Sequence, residues 1–432
     1  MRGLFGVSSW LHKYVGLVLL PYLMLEGATG ILLNHPDLIA GGSVPGHLIP
    51  PQYRLADWNR GALKSLTYSK RDPSVAYAWG RQGVWKTTDG GGSFTSLNRG
   101  LPEEPFYRRT ASLLLVEGDP AILLAGTGAG LFRYDDAEKQ WFRVELGETD
   151  EPIRRVLKAG NQVVVFTSSR AWVAGPVGTD LAFREARLDR NEKAPRIPLV
   201  KLLFDLHGGR IWGLPGRLLF DVAGAMLCFL SISAFYLWYM PKRIRKSLAS
   251  LNVLRTAKPR LLEWFHTYHL KLGIWFAVVF LVLGGTALFM RPPLIAVPLG
   301  HTIPAGVYPG PRCHNPWHDR IINAVYDPTD DRLIVEADGF WLGPADFRAP
   351  FERIESPPPV FAMGTTVFEH DSGGAFIVGS FGGLFRWHRS GGRVLSLLDG
   401  VAADDRVLTR PADFMVTGYF ETPSGEAFAA GH

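Results

Sequence analysis

Cysteine is scarce in this sequence, with only two residues among 432. Cys228 lies inside an apolar run and Cys313 in a polar segment, so a disulfide bond between them is geometrically implausible. The cysteines therefore do not indicate a redox compartment. The sequence also lacks a nucleotide-binding glycine loop and a serine triad pattern, so it predicts neither a nucleotide-binding enzyme nor a serine hydrolase.

Long apolar runs, by contrast, are present. The hydrophobic content of 47% is too high for an ordinary soluble enzyme. Windows of roughly 20 apolar residues, the length of a membrane-spanning helix, occur at Tyr14–Leu33, Leu218–Met240 and Leu272–Met290. The first window is followed by Asn34-His35-Pro36 and not by the cleavage site of a signal peptide. The sequence therefore predicts a membrane α-helical bundle of three transmembrane helices.

The charge distribution predicts how these helices are oriented. Basic residues outnumber acidic ones by 46 to 40, and much of the excess lies between Lys242 and Arg260, in the loop between the second and third predicted helices. Because positive loops stay in the cytoplasm, this loop and the N-terminus are predicted to be cytoplasmic. Residues 36–210 and 291–432 then lie together on the outer side. The basic loop is interpreted as a topology signal that contacts membrane lipid, and no nucleic acid is predicted as a partner.

The outer segments have the composition of a β-rich domain. The chain contains 48 glycines, 31 prolines and 12% aromatic residues, which suit short strands joined by tight turns. Residues Thr87–Phe94 read T-T-D-G-G-G-S-F. This run resembles the Asp-box turn of sialidase-like and sortilin-like β-propellers. We expect Asp89 to accept hydrogen bonds from backbone N–H groups in a glycine-rich hairpin, and Phe94 to pack between sheets.

Weaker echoes of this strand-and-turn pattern recur at about the spacing of propeller blades; they are Gly130–Arg133, Ala171–Val173, Gly339–Trp341 and Gly383–Arg386. Neither outer segment alone supplies enough four-stranded units to close a ring. The sequence therefore predicts an all-β propeller of about six or seven blades, built from two separated segments. Two unrelated small β domains are the alternative.

The predicted domains are 1–35 (N-terminus and first membrane helix), 36–205 (first part of the propeller), 206–291 (second and third membrane helices with the basic loop) and 292–432 (second part of the propeller).

An internal repeat links the first and third predicted helices. His12 and His269 each open an H-x-x-x-G motif, which ends at Gly16 and Gly273. The register continues to the far ends, where 27–29 (Gly-Ala-Thr) matches 284–286 (Gly-Gly-Thr) at the same offset. Because both helices run outward, His12 and His269 are predicted to lie at equal depth. The glycines, one turn further along the same helix face, leave room for a flat macrocycle or for close helix packing.

A second pair of histidines is predicted near the outer side, with His35 after the first helix and His207 before the second. Four histidines in two layers are typical of bis-histidine ligation of two b-type haems, and no C-x-x-C-H motif for covalent attachment is present. Three alternatives stay open. A histidine at this depth also serves as a headgroup or capping contact. His266 competes with His269. A single haem is compatible with the 23 positions from His12 to His35, which correspond to about 34 Å of straight helix.

At these residues the sequence resembles the PepSY-associated transmembrane family. The resemblance rests on His12–Gly16 with 27–30, His207–Arg210 before 236–238, and His269–Gly273 with 284–286. It covers about a quarter of the chain. Some family members are haem-bearing inner-membrane reductases that reduce ferric siderophores. The resemblance implies a bacterial inner-membrane protein that delivers electrons to the periplasm, with His12, His35, His207 and His269 as haem-iron ligands. The predicted propeller would then be periplasmic. No PepSY domain is apparent in the outer segments, which puts siderophore specificity in doubt.

Other ionisable residues are weaker candidates. Glu26 and Asp221 lie inside predicted helices, where such groups are functional candidates by default, although Arg217 offers Asp221 a plain structural partner. The run from Cys313 to His318 contains a thiol and two imidazoles at a metal-like spacing and is a candidate copper or iron site, or simply an exposed loop.

The sequence therefore predicts a haem b-containing transmembrane oxidoreductase. It would move electrons to a periplasmic acceptor, such as a ferric chelate or a partner protein. Because no nucleotide motif is present, the electrons must come from quinol or from a cytoplasmic donor. The alternative is a non-catalytic, membrane-anchored propeller that docks an external protein.

Overall fold

A computed structural model describes residues 2–42, 44–50, 59, 61–147, 149–175, 181–192, 196–249, 258–291, 293–309, 315–391, 394–408 and 410–431. The chain divides into two compact units. The first unit combines Met1–Ile39 with Arg196–Arg312, and the second combines Ala40–Pro195 with Cys313–His432. Each unit is therefore built from two stretches that are distant in sequence.

Helices dominate the first unit. The helices of the chain are α1 (Arg2–Asn34), α2 (Pro105–Arg108), α3 (Leu199–His207), α4 (Gly213–Ala249), α5 (Lys258–Trp275) and α6 (Ala277–Leu288). All but α2 belong to the first unit. Two segments are long and apolar enough to cross a membrane, Gly6–Asn34 and Arg210–Ile244. They contain the first two predicted spans, which are thereby confirmed as membrane helices by length and composition.

The third predicted span is not one continuous helix. Helices α5 and α6 meet at a bend of 60°, and Phe276 between them has φ −92° and ψ 1°. The prediction of a single helix over Leu272–Met290 is therefore wrong, and a third span exists only if the bent pair crosses as one. Gly273 lies just before the bend, and glycine is a poor helix former that is often found near kinks.

Close packing joins α1 to α4. A Cβ atom added at Gly27 would lie 2.7 Å from the carbonyl oxygen of Gly224, and one added at Gly224 would lie 2.9 Å from the oxygen of Gly27. Such backbone approach is typical of small residues at membrane-helix contacts. Further along α4, the ring of Phe265 on α5 stacks on Phe229 and contacts Tyr236. These contacts hold α1, α4 and α5 in register.

The second unit consists mainly of antiparallel sheets. Its strands are β1 (Ser65–Tyr68), β2 (Ala76–Gly80), β3 (Gly83–Thr87), β4 (Thr95–Ser96), β5 (Thr110–Val116), β6 (Ile122–Thr127), β7 (Gly130–Asp135), β8 (Gln140–Val144), β9 (Ile153–Ala159), β10 (Gln162–Thr167), β11 (Ala171–Ala174) and β12 (Arg184–Ala186) in the first stretch. The pair β13 (Arg196–Pro198) and β14 (Thr302–Pro304) belongs to the helical unit. The second stretch has β15 (Asn323–Asp327), β16 (Arg332–Glu336), β17 (Phe340–Pro344), β18 (Glu352–Arg353), β19 (Val367–His370), β20 (Phe376–Ser380), β21 (Gly383–Trp387), β22 (Leu395–Ser396), β23 (Val416–Glu421) and β24 (Ala427–Gly431).

Among the described residues, these strands form five four-stranded sheets and one two-stranded sheet in the second unit. The sheets are β1–β4, β5–β8, β9–β12, β15–β18, β19–β22 and β23–β24. Their first strands contact one another in the order β1, β5, β9, β15, β19, β23, and β23 contacts β1. Side-chain bonds support this order, since Ser112 Oγ on β5 contacts the backbone N and O of Val156 on β9, each at 3.1 Å.

The glycine-rich turn of 87–94 joins β3 to β4. Asp89 Oδ1 accepts hydrogen bonds from Ser93 N at 2.9 Å and from Thr87 Oγ1 at 2.7 Å, and Asp89 Oδ2 accepts one from Ser93 Oγ at 2.7 Å. The bonds from Ser93, followed by the bond from Thr87, hold the pKa of the Asp89 carboxyl below its ordinary value. Phe94 was expected to pack between sheets, but 38% of it is exposed.

A buried charge cluster joins the two stretches of the second unit. Arg190 lies between the rings of Trp317 and Trp341, with its guanidinium carbon 4.2 and 4.1 Å from their centroids. Its side chain is only 1% exposed and forms an ion pair with Asp338, which also pairs with Arg320 at 2.9 Å. Arg190 belongs to the first stretch and its partners to the second, so this cluster holds the two stretches together.

Candidate functional site

Two imidazole rings of the first unit face each other. The ring centroids of His12 on α1 and His269 on α5 are 6.3 Å apart, and their planes meet at 67°. The repeat placed these residues at equal depth on separate helices, and the helix contacts bring them together.

A cavity of about 530 Å³ lies beside these rings. Its volume is in the range of small-molecule and cofactor sites, about 300–1,000 Å³. Its lining is mostly apolar, from Leu17, Leu20, Leu23, Leu227, Leu230, Ala234, Leu237, Leu270 and Phe280. Side chains with nitrogen or hydroxyl groups also line it, and they come from His12, Lys13, Ser231, Trp238, His266 and His269. The cavity is thus a mostly apolar pocket that three imidazoles line.

The two motif glycines open the cavity. Gly16 and Gly273 both line it, and a Cβ atom added at either would meet no heavy atom within 4 Å. They differ from Gly27, where an added Cβ would strike α4. Of the two roles considered for these glycines, room for a flat group therefore fits better than close helix packing.

A serine on α4 fixes the tautomer of His269. Ser233 is fully buried, and its Oγ lies 2.7 Å from His269 Nδ1 and 3.0 Å from the carbonyl oxygen of Leu230. The hydroxyl has one proton, which it donates to Leu230, so it accepts the hydrogen bond from His269 Nδ1–H. The proton on Nδ1 leaves the Nε2 lone pair free to bind a metal, the usual role of such an outer partner. Ser233 was not predicted from the sequence. Its position, as a polar residue at the centre of an apolar span, is a signal that marks functional candidates.

His207 has a similar partner. Its Nδ1 lies 3.0 Å from Thr286 Oγ1 and 3.2 Å from the carbonyl oxygen of Leu283. Thr286 Oγ1 is 2.6 Å from the carbonyl oxygen of Val282, which takes its proton. His207 Nδ1–H is therefore the donor, and Nε2 is again free. Thr286, the threonine at the far end of the repeat, thus orients His207.

His35 is held differently. Its Nε2 lies 2.7 Å from Asp221 Oδ2, while Asn34 Nδ2 donates to Asp221 Oδ1 at 2.9 Å. Asp221 therefore contacts His35 and Asn34. The sequence had suggested Arg217 as its partner. His35 has only Nδ1 left for a metal, and its partner differs from that of His207.

The remaining candidates have mixed outcomes. His266 lines the cavity together with His269, so the choice between them stays a prediction. Glu26 interacts with Tyr22, one turn earlier on α1. Cys313 and His314 lie outside the described residues. Asn315 of the same run has a structural role, because its amide binds the carbonyl oxygen of Ser169 at 2.8 Å. Within the described ranges, no group of three or more His, Cys, Asp or Glu residues is placed to hold a metal ion. A haem iron needs only two protein ligands, so this result does not bear on the histidine pairs.

The helices and sheets define a membrane protein with an N-terminal membrane helix and an all-β unit. The chain belongs to the family described as the PepSY-associated TM region, which matches residues 9–330. The family resemblance seen in the sequence is thereby confirmed. A comparison with curated proteins finds no match to the chain.

Several solved structures share some of its features. The chain is similar to the extracellular domain of BT4673 from B. thetaiotaomicron, with 10% identity over 91% of this chain and 34% of that chain, and a TM-score of 0.39. It is also similar to an ancestral GH74 enzyme, with 8% identity over 84% of this chain and 33% of that chain, and a TM-score of 0.36. The chain spans about a third of the length of each. Similarity at this level does not define the fold.

Proposed function

We propose that this protein binds haem b between His12 and His269 and moves electrons through the membrane to an acceptor on the outer side. The observation that carries the proposal is the close approach of the His12 and His269 imidazoles beside a mostly apolar cavity. A metal–imidazole bond is about 2 Å long and the ring centroid lies about 1 Å beyond the nitrogen, so two axial imidazoles have centroids about 6 Å apart. The separation of 6.3 Å agrees with this value.

The residues around the cavity fit the group. His12 and His269 would hold the group through imidazole nitrogens, and Gly16 and Gly273 leave space beside them. Lys13 lines the same cavity and offers a positive charge to a carboxylate. When bound, haem supplies one-electron redox chemistry. Ser233 keeps Nε2 of His269 available, and the leucines would give the group an apolar surface to pack on.

His35 and His207 are proposed as ligands of a second haem, with a single haem as the alternative. The free Nε2 of His207 supports a ligand role, whereas the bond between His35 and Asp221 occupies one nitrogen of His35. The donor would be quinol or a cytoplasmic reductant, and the acceptor a ferric chelate or a partner protein. Purified protein is expected to be red, with a reducible Soret band and an α-band, and a pyridine haemochrome assay would count the haems. A colourless protein from haem-replete cells would favour the docking module instead.

We further propose that the sheets of the second unit form a six-bladed propeller in the periplasm, anchored by three passes through the bacterial inner membrane. The cyclic contacts of the six first strands support the propeller. The basic residues at the end of α4, at the start of α5 and at Arg255 between them support the orientation. For the third pass, α5 and α6 would cross together.

The orientation predicts where reporters become active. Alkaline phosphatase fused after residue 60 and after residue 300 is expected to be active at both positions, because both lie outside under the three-pass arrangement. A fusion after residue 250, in the basic loop, is expected to be inactive. Activity of β-galactosidase fusions at the same positions should be the reverse. A cytoplasmic report from either outer position would contradict the shared location of the two stretches.

The space beside the motif glycines gives a second prediction. Gly16→Leu and Gly273→Leu are expected to lower haem content at least about tenfold with little change in thermal stability, because each side chain projects into open space. Gly27→Leu is the matched control, since its side chain would strike Gly224 and is expected to destabilise the helix pair. Haem-to-protein ratio and thermal unfolding would be measured on the same samples. Full haem content in both cavity variants would contradict the site.

A further inference from the structure

Cationic side chains are concentrated where three neighbouring first strands of the second unit begin. Lys64 immediately precedes β1, Arg109 immediately precedes β5, and Arg154 is the second residue of β9. These strands are consecutive in the cyclic order. Lys64 Nζ donates a hydrogen bond to the carbonyl oxygen of Ala111 at the start of β5, at 3.1 Å. The strand starts therefore lie side by side, and their basic residues share one region.

Two further arginines extend this cationic cluster, which we define as Lys64, Arg81, Arg109, Arg154 and Arg155. Arg81 lies in the turn between β2 and β3 and acts electrostatically on Arg109. Arg155 Nη1 pairs with Glu369 Oε1 on β19 at 3.3 Å. Since β15 lies between β9 and β19 in the cyclic order, this ion pair links two first strands that are not neighbours. Arg155 therefore extends from β9 toward β19.

The cluster has more positive charge than its carboxylates balance. Glu369 pairs with Arg155. Glu336 is nearby but is bound by the backbone N and Oγ1 of Thr365, and burial raises its pKa to about 7. Burial, together with Arg109 and Arg155, lowers the pKa of Lys64 to about 7; Glu369 opposes this shift and Arg154 adds to it. Like charges gathered in a poorly solvated region repel one another, which destabilises the fold unless an anion compensates.

Two arginine donors without hydrogen-bond partners also indicate that this region needs an anion. The Nε atoms of Arg154 and Arg155 are shielded from solvent and have no hydrogen-bond partner among the described residues. A shielded donor without an acceptor is costly and calls for a physical explanation. An oxyanion supplies both the missing acceptors and the missing negative charge, because guanidinium groups bind carboxylate and phosphate oxygens in a bidentate manner.

We propose that the cationic cluster is a binding site for a small polyanion bearing carboxylate or phosphate groups, enclosed by the first strands of the six sheets. The site is formed by residues of the second unit alone and does not depend on haem. Arg109 and Arg154 would bind the oxygens from neighbouring strands, and Lys64 would add a third contact. Glu369 would keep Arg155 oriented.

Calorimetric titration of the full-length protein in detergent tests this site, with citrate and inorganic phosphate as separate probes and glucose as the uncharged control. Saturable binding of at least one anion is expected. Tighter binding of citrate would indicate a carboxylate ligand, and tighter binding of phosphate a phosphorylated one. Arg154→Gln and Arg109→Gln are each expected to weaken binding about tenfold or more, through loss of a charge-assisted contact. Arg184→Gln, an exposed arginine of β12, should leave binding unchanged.

Proton uptake provides an independent readout. A bound anion raises the pKa values of Lys64 and Glu336 from about 7, so both groups take up protons near neutral pH. The observed enthalpy should therefore vary with the ionisation enthalpy of the buffer, and binding should be tighter at pH 6 than at pH 8. Thermal unfolding shows whether each variant folds. Absence of saturable binding by both anions, or equal weakening in Arg184→Gln, would overturn the proposal. Haem content measured on the same samples separates this outcome from a failure of the haem site.

Discussion

The variant His269→Ala is expected to lose the haem held between α1 and α5. One imidazole would remain, on His12, and a b-type haem has no covalent bond to hold it after an axial ligand is removed. The haem-to-protein ratio should fall to background if one haem is bound, or by about half if there are two. A pyridine haemochrome assay on purified protein measures this ratio, and the optical spectrum shows whether any residual haem is low-spin.

Two neighbouring histidines serve as controls for this experiment. His301→Ala removes an exposed histidine whose Nδ1 contacts the carbonyl oxygen of Leu299, so the spectrum should not change. His266→Ala tests the competing ligand in the same cavity. Retention of haem in His269→Ala with its loss in His266→Ala would transfer the ligand role to His266. Full retention in both, and in His12→Ala, would refute the proposed function.

A milder change tests the orientation of His269. Ser233→Ala removes the acceptor of the Nδ1 proton, and loss of such an outer partner weakens metal binding by about 10–100-fold. The effect of this variant on haem retention should lie between those of His269→Ala and His301→Ala. A purely structural role for Ser233 would instead lower thermal stability and leave the haem spectrum of the folded fraction unchanged.

The local repeat predicted one meeting of residues in the first unit, that of His12 with His269. The H-x-x-x-G spacing sets His12 and His269 at the same position on their helices, so packing of the helices side by side brings them together. The partners of these histidines were not predictable in the same way. Ser233 reaches His269 only because α4 packs against α5, and Asp221 contacts His35 and not Arg217 because α1 ends beside α4.

The strands were also largely predictable, because apolar runs between glycine turns have a local signal. The apolar run 163–166 forms the buried strand β10, and 376–378 lies in the buried strand β20. The bend at Phe276 had no such signal, since the whole window is apolar and contains no proline after residue 272. Hydropathy measures the length of a span and not its straightness. The failure to predict the bend follows from that difference.

The cluster around Arg190 was not visible in the sequence, and it carries the largest expected effect on stability. Asp338→Ala leaves the guanidinium groups of Arg190 and Arg320 without their shared carboxylate. Burial lowers the pKa of Arg190 to about 10, while Asp338 opposes this shift, so Arg190 stays charged at neutral pH. Removal of one partner from a buried ion pair costs about 3–5 kcal/mol. Glu192, whose Oε2 is 3.7 Å from Arg190 Nη1, is too distant to replace it fully.

Guanidinium unfolding of the full-length protein, followed by tryptophan fluorescence, measures this loss, because Trp317 and Trp341 pack directly on Arg190. Asp346→Ala is the matched control. Its carboxylate pairs with Arg348 at 3.6 Å on the surface, where the two side chains are 48% and 87% exposed, and such a pair contributes about 0–1 kcal/mol. The cluster joins residues from before and after the membrane helices, so its disruption should separate the two stretches of the second unit as it unfolds. Equal stability of Asp338→Ala and Asp346→Ala would show that the two stretches do not need this carboxylate to stay together.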